Sequence, residues 1–407
     1  MEILYLTLSD PQLQKPGIYA DLVNGLTERG HHVTIAFAAG PADTEKTVLV
    51  TECGVRIVKV LVGELFRVNF IKKGINTLKI EPYLKRAVRK YFPKEQFDLV
   101  LYATPPVTFA NVVKYCKSTY GCRAFLMLKD IFPQNAVDIG LFSENGLLHR
   151  FFQKKERELY KVSDVIGCMS PGNMEYIRKH NPETEAKKLI LFPNTVKVTP
   201  LLKDGQDIKA RKDTVSFVFG GNLGKPQAVD FLIRVINSKR LRACRAAKFL
   251  FVGNGSERDK VKAAFANSPN AEFIDFMPPA EYRELMRRCD VGMISLDARF
   301  TIPNYPSRAL SYMAEAKPIL ACTDRNTDIR ELLTEEADCG LWCASDDEEA
   351  FCENVERLCR DEGLREQLGN NGRRYLEEHF DVSRSVGLIE QYGCHNKKET
   401  MEGRDDV

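Results

Sequence analysis

The chain is 407 residues long, too many for one ordinary hydrophobic core, so two domains are expected. Its 44% hydrophobic and 28% charged residues are those of a soluble globular protein. No apolar run reaches the length of a membrane span, which sets integral membrane classes aside.

The formal net charge of +3 is unevenly spread. Residues 1–195 carry 27 Lys+Arg against 20 Asp+Glu, a net of +7; the remainder carries 32 against 36, a net of −4. A basic first half fits an anionic partner or surface, and equally two domains of different surface composition. Twelve cysteines sit mostly inside apolar runs, such as Cys168 in VIGCMS, Cys322 in ILACTD and Cys343 in GLWCAS. There is no C-x-x-C, and no His at zinc-finger spacing accompanies the Cys339–Cys343 pair. Buried reduced thiols are therefore expected, with no metal site, and the pattern points to the cytosol. The opening MEILYLTLSD has no signal-peptide pattern.

In chain order, EILYLTL, HHVTIAFA, VRIVKVLV, FDLVLYAT, CRAFLML, VIGCMS and KLILFPN read as strands. They are near-continuously apolar, as strands covered on both faces must be, and helical patterns lie between them. Strand alternating with helix implies a parallel sheet in a doubly wound domain. From about residue 213 the scheme repeats with TVSFVFGG, KFLFVGNG, AEFIDFM, VGMISL, KPILACT and CGLWCA. The polar stretch TVKVTPLLKDGQDIKARKD (195–213) is the expected linker. This gives an α/β chain with domains at 1–197 and 198–380, helix 381–398 packing back on the first, and a frayed tail. Ligands of such sheets bind beyond the carboxyl ends of the strands, so two doubly wound domains facing across a cleft would hold the site in their strand-to-helix loops.

Four loops of the second half could carry chemistry. In FVFGGNLGKPQAVDFLI (217–233), Gly220, Gly221 and Gly224 permit close backbone approach, Lys225 adds charge, and the helix start offers N–H groups to an anion. In FLFVGNGSERDKV (249–261), Gly253 and Gly255 shape a turn after which Ser256 would cap a helix. FIDFMPPAEYRELM (273–286) ends a strand in two prolines, where the backbone of Phe276 or Met277 could meet a base. In IPNYPSRALSYMAEAKPILA (302–321), Pro303 and Pro306 stiffen a loop that places Ser307 and Arg308 at a helix start. An arginine fork there matches a diphosphate. Each loop has a plainer reading as a tight turn, a cap or a solvated charge.

In the first half, FLMLKDIFPQNAVDIG (125–140) ends a strand in Lys129–Asp130, where Asp130 is either a helix cap or a site carboxylate. FRVNFIKKGINTLKIEPYLKRAVRKYF (66–92) carries eight Lys/Arg and one acid, with apolar residues every three or four. With Lys72, Lys73, Lys79, Lys85 and Arg86 outward, such a helix suits an anionic membrane surface, or an ordinary sheet-covering position.

Taken in order, these motifs resemble a retaining glycosyltransferase of glycosyltransferase family 4 with the GT-B fold, over residues 1 to 390. KPGIYADLVNGLTERGHHVTIA is similar to the family's opening loop, helix and strand. KDIFPQNAVDIG resembles the D-x-x-P segment of the subgroup that builds bacterial surface polysaccharides. VSDVIGCMSPG and LFPNTV resemble the close of the first domain. GGNLGKPQAVDFLI and VGNGSERDKV resemble the first turns of the donor domain, NYPSRALSYMAEAKPILACTD the subgroup's PSK-x-x-x-YMA signature, and CGLWCASDDEEAF the late strand and helix.

The resemblance implies transfer of a sugar from a nucleotide diphosphate, UDP being the commonest, to a lipid-linked or glycan acceptor, with no cofactor or metal. It places Lys225 and Arg308 on the departing diphosphate and Asp130 near the acceptor hydroxyl. Gly17, Ile18, Gly221, Asn222, Gly224, Asn254, Phe276, Met277, Pro306 and Ser307 would border the donor. Many relatives carry Glu-x7-Glu here; Pro303 and Ser311 stand at those two positions, and a serine cannot grip a ribose diol as a carboxylate does. The implied location is the cytoplasm, at the inner face of the membrane, with no nucleic-acid partner. Two rivals stand beside this reading. One is a non-catalytic sugar-nucleotide-binding subunit of a glycan assembly complex, favoured by the missing acids. The other is a UDP-sugar 2-epimerase of the same fold, which would need histidines near the sugar. His31, His32, His149, His180, His379 and His395 all lie outside the glycine turns.

Overall fold

The computed structural model describes residues 1–63, 70–201 and 214–394, with residues 70–77 through their backbone alone. Contacts divide the chain into two units. The first comprises Met1–Val137, Phe142–Lys197 and the chain from Val382; the second comprises Asp138–Leu141 and Val198–Asp381. Most of the expected linker (202–213) and the expected tail (395–407) lie outside the described residues.

The first unit is built on an eight-stranded sheet of order β3-β4-β2-β1-β5-β6-β7-β8. Its strands are β1 (Glu2–Thr7), β2 (His32–Ala39), β3 (Val48–Glu52), β4 (Val55–Leu61), β5 (Leu99–Ala103), β6 (Arg123–Leu128), β7 (Val165–Cys168) and β8 (Leu189–Leu191). Seven of them coincide with the apolar runs and pair in parallel. The eighth, β3, corrects the expectation of a purely parallel sheet, because it pairs antiparallel to β4. Its VLVTE is only half-buried, as an edge strand's outer face should be. The turn between them is two residues, Cys53 and Gly54, both at positive φ, the backbone a tight hairpin requires.

Helices α1 (Ile18–Glu28), α2 (Phe70–Tyr91), α3 (Ala110–Tyr120), α4 (Gln134–Asp138), α5 (Leu147–Val162) and α6 (Pro171–His180) fill the connections. α3 packs between α2 and α5, so these three make one continuous layer, and α2 lies on β2 and β4.

The second unit has six strands, all parallel: β9 (Val215–Asn222), β10 (Ala247–Asn254), β11 (Ala271–Ile274), β12 (Val291–Ser295), β13 (Ile319–Thr323) and β14 (Gly340–Ala344). Their order is β11-β10-β9-β12-β13-β14. The chain winds outward from β9, then returns to lay β12 on the other side of it. That reversal opens a crevice at the carboxyl ends of β9 and β12. The helices are α7 (Val229–Ile236), α8 (Lys239–Ala243), α9 (Arg258–Phe265), α10 (Pro279–Arg288), α11 (Arg308–Ala314), α12 (Ile329–Glu331), α13 (Glu348–Arg360) and α14 (Glu362–His379). Phe217, Phe219, Phe249 and Phe251 form the centre of its core.

A last helix, α15 (Val382–Gly393), belongs to the first unit. Val382, Val386 and Ile389 enter the core that holds Leu22 and Leu26 of α1. Gly25 allows the close approach, since a Cβ there would sit 3.1 Å from Val386. Glu390 is held by Arg29 at 2.7 Å and by His31 at 3.0 Å. Ile389 is fully buried. Ile389→Ala should therefore destabilise the first domain by about 3 kcal/mol, read as a lower denaturant midpoint at unchanged m-value for that domain's transition.

Candidate active site

In the second unit the site is built from two glycine turns stacked on each other. β9 and β10 run in register to the pairs Gly221–Gly253 and Asn222–Asn254. Gly221 has φ 114 and Gly253 φ 145, conformations that L side chains rarely adopt. A Cβ on Gly253 would lie 1.9 Å from the Gly221 carbonyl oxygen, so the turns can only meet as glycines. Leu223 N–H donates to the Asn254 carbonyl at 2.8 Å, and Glu257 N–H to the Leu223 carbonyl at 2.8 Å. Asn254 is exposed, and its side-chain oxygen accepts from the Gly255 N–H at 2.8 Å, so it holds the turn itself. Ser256 does not cap the next helix, which begins after Glu257.

Arg308 opens α11 and lies over this turn. Its guanidinium sits 4.4 Å above the Phe219 ring and donates to the Asn222 carbonyl at 3.1 Å. A Cβ on Gly221 would come within 3.0 Å of it, so the glycine also clears its seat. No carboxylate pairs with Arg308 among the described residues, and burial pushes its pKa down. Tyr312 fixes the helix by sharing its one hydroxyl proton between the carbonyls of Val218 and Met293, each at 3.1 Å. Gly220 leaves space for the Tyr282 ring, whose hydroxyl a Cβ would meet at 2.0 Å. Ser311 is exposed one turn beyond Arg308, and Ser307 is an exposed N-cap residue whose side chain makes no capping bond.

Lys225 is exposed and has no ion pair among the described residues. It does not start a helix, contrary to expectation. Residues Lys225–Gln227 form a single 3-10 turn, Ala228 is left-handed at φ 46, and α7 begins only at Val229. The reason is Gln227, whose side-chain oxygen accepts from the Gly224 N–H at 3.1 Å and from the Asn222 amide at 3.2 Å. The sequence signal was a Gln three residues after Gly224, a capping spacing. Half-buried Pro306 lies in the loop after β12, which is held from beneath. The Asp324 carboxylate accepts from the N–H groups of Asn326 and Thr327 at 2.8 Å, and the Thr327 hydroxyl donates to the Asn304 carbonyl at 2.8 Å. Burial raises Asp324 to about 6. Phe276 is 69% exposed beyond edge strand β11, with Met277 half-buried beside it.

In the first unit, Gly17 is the exposed N-cap of α1, and Ile18 follows it. Past β6, the Thr104 hydroxyl donates to the Asp130 carbonyl at 3.0 Å and accepts from the N–H groups of Lys129 and Asp130 at 3.0 and 3.2 Å. The two neighbours are fixed in backbone, yet they do not neutralise each other. Burial alone raises Asp130 to about 6 and lowers Lys129 to about 7. The Lys129 ammonium lies 5.0 Å above the Phe192 ring. Ile18, Tyr19, Lys129 and Phe192 line one water-sized crevice. Asp130 and burial together raise the Tyr19 hydroxyl to about 12. Lys129 and Tyr19 were not singled out from sequence, because a lysine beside an aspartate reads as a surface pair. Unpaired buried charges cost stability and mark functional sites.

Elsewhere, Lys79, Lys85 and Arg86 of α2 are exposed, while the side chains of Lys72 and Lys73 lie outside the described residues. Among the described residues no three His, Cys, Asp or Glu are grouped to hold a metal ion, and no helix is long and apolar enough to cross a membrane.

Family comparison agrees with this layout. Residues 19–199 match the model described as Glycosyltransferase Family 4, and residues 214–361 match Glycosyl transferases group 1. The chain belongs to the family 4 glycosyltransferases. It is 25% identical over 291 residues, 70% of this chain and 71% of the relative, to the probable glycosyltransferase WbjE of Pseudomonas aeruginosa. Among solved structures, sucrose-phosphate synthase of Thermosynechococcus elongatus aligns with a TM-score of 0.75 at 15% identity, over 96% of this chain and 98% of that one. HepE of Anabaena, solved in complex with UDP, aligns with a TM-score of 0.67 at 15% identity, over 96% and 99%. The two Rossmann-like domains are those of the GT-B fold. In this glycosyltransferase, Gly253→Ala should lower stability by at least about 2 kcal/mol through backbone strain and turn separation, seen as a lower midpoint of thermal unfolding.

Proposed function

We propose that the protein is a retaining glycosyltransferase. In this reading it takes a hexosyl or N-acetylhexosaminyl group from a nucleoside diphosphate sugar, first of all a UDP-sugar. It passes that group to a lipid-linked or glycan acceptor of a bacterial capsule, exopolysaccharide or O-antigen, at the cytoplasmic face of the membrane. The observation that carries the reading is Arg308: a half-buried guanidinium with one carbonyl partner and, among the described residues, no counter-ion, over a glycine turn. Among the described residues no other acceptor takes its remaining N–H donors, and a diphosphate is the anion whose geometry they match. The likeness to WbjE and to the UDP-bound HepE supports the same choice.

The bond from the sugar C1 to the β-phosphate oxygen breaks as the acceptor oxygen bonds C1 on the same face. The electron pair leaves on the diphosphate, whose charge Arg308 and Lys225 hold. The acceptor proton passes to the carboxylate of Asp130, which a pKa of about 6 suits to that task. Lys129 offers a cation to an acceptor phosphate. Ser311 leaves the ribose weakly held, so most donor affinity comes from the diphosphate. The two cations do a metal's work, so turnover should survive EDTA.

Thermal unfolding with UDP, GDP, ADP and CMP, without metal, should show selective stabilisation by one diphosphate. Arg308→Ala should abolish that shift and cut kcat/KM by roughly 10²–10³; unchanged binding and turnover would refute the cradle. Stabilisation without transfer to any acceptor would favour a sugar-nucleotide-binding subunit.

The pH profile has a worked sign. Asp130 accepts a proton only above about 6, and Lys129 keeps its charge only below about 7. For the free enzyme kcat/KM should rise through the first value and fall beyond the second. Lys129→Met should remove the alkaline limb and leave the acid limb.

A further inference from the structure

The helical layer of the first unit carries an edge that the fold leaves uncovered. α5 begins LLHRFFQKK, and its opening turns expose Leu147 at 88%, Leu148 at 52% and Phe151 at 40%. Residues 147, 150, 151 and 154 recur at helical spacing on one stripe, reading Leu, Arg, Phe, Lys. The opposite face, with His149, Glu156, Leu159 and Tyr160, is the buried one. Arg150 and Lys154 are exposed and have no ion pair among the described residues. Further along the helix, Lys155 and Arg157 pair with Glu158 and Glu183. Behind the stripe, Phe152 stacks on Phe142 at 5.8 Å and meets Phe132 edge-on at 5.0 Å, which fixes the helix end from inside.

Scattered single leucines on a surface mean little, but three large apolar side chains in two turns are a patch. Its charge setting says what covers it. The neighbouring α3 exposes Lys114, which has no ion pair among the described residues. An apolar tip followed on its own stripe by Arg150 and Lys154, with Lys114 on the adjacent helix, matches an anionic bilayer, with acyl chains for the leucines and headgroups for the cations. The position also fits. α5 feeds β7 of a parallel sheet, so its first turn lies at the sheet's carboxyl edge, the edge that carries Lys129 and Asp130.

We propose that this edge is a membrane-docking surface, in which Leu147, Leu148 and Phe151 insert below the headgroups of an anionic bilayer and Arg150 and Lys154 hold those headgroups. This deepens the lipid-linked part of the function above and rests on it for its purpose. α5 is then the anchor, and the basic α2 adds long-range attraction.

The test is flotation of the full chain with vesicles of phosphatidylcholine alone and of phosphatidylcholine mixed with phosphatidylglycerol. The chain should bind the mixed vesicles and weaken with salt. Leu147→Ser with Leu148→Ser should lose at least roughly ten-fold in vesicle affinity while keeping its melting temperature. Arg150→Gln with Lys154→Gln should bind less and with a shallower salt dependence. Equal flotation of the serine variant, or none by the wild type, would overturn the proposal. So would a serine variant that elutes as a smaller species while floating normally, which would make the patch a protein interface. Stabilisation by UDP and transfer to a water-soluble acceptor should be the same in wild type and serine variant. Their absence from the wild type would strike the glycosyltransferase reading and leave the docking surface standing.

Discussion

The candidate site of the second unit depends on one half-buried guanidinium that has to stay charged. Arg308 cannot shed its proton, so its desolvation must be offset by the groups around it. Phe219 offers a ring face, and the Asn222 carbonyl takes one donor. Neither is an anion, and under the proposed function a diphosphate supplies the opposite charge. Each nearby constraint serves that position. Gly221 clears space for the side chain, Gly253 lets the second turn lie on the first, and Tyr312 ties the helix to β9 and β12. A tyrosine that binds two strand carbonyls is a rigid support, and rigidity is what makes a fixed charge useful to a transition state.

The first unit follows the same logic with opposite means. Lys129 and Asp130 adjoin in sequence, and pairing with each other would hold both near their ordinary pKa values. Thr104 instead takes both backbones, and burial alone acts on the side chains. The result is two groups that titrate near neutrality, at the carboxyl edge of a sheet. The fold bears an electrostatic cost there that a purely structural turn would avoid.

Much of the fold was legible because buried parallel strands must be continuously apolar, and all thirteen apolar runs are strands, leaving one of the fourteen described strands unforeseen. β3 escaped because an edge strand is half-wet and its hairpin uses Cys53–Gly54 in place of a familiar turn pair. The glycine turns were legible, but not why they are glycines, since Gly221 and Gly253 meet only through strand register across thirty-two residues. Lys225 was placed at a helix start because the sequence does not show Gln227 folding back to close its own turn. Lys129 was overlooked because burial, not composition, sets it apart. The leucines of α5 were invisible for a related reason. LLHRFF offers two apolar stripes, and only the packed structure says which one faces the sheet.

The missing acidic pair becomes intelligible from the same geometry. A glutamate at 311 would stand one helical turn from Arg308, at the spacing where a carboxylate and a guanidinium pair. It would grip a ribose, but it would also spend the arginine. Serine at 311 offers a short hydroxyl that leaves the cation unneutralised. The loop that carries Pro303 does not need its own acid either, because Asp324 holds it from below through Thr327. Under the proposed function, ribose and phosphate recognition would compete for charge at this turn of α11, and a serine at 311 leaves Arg308 to the phosphates.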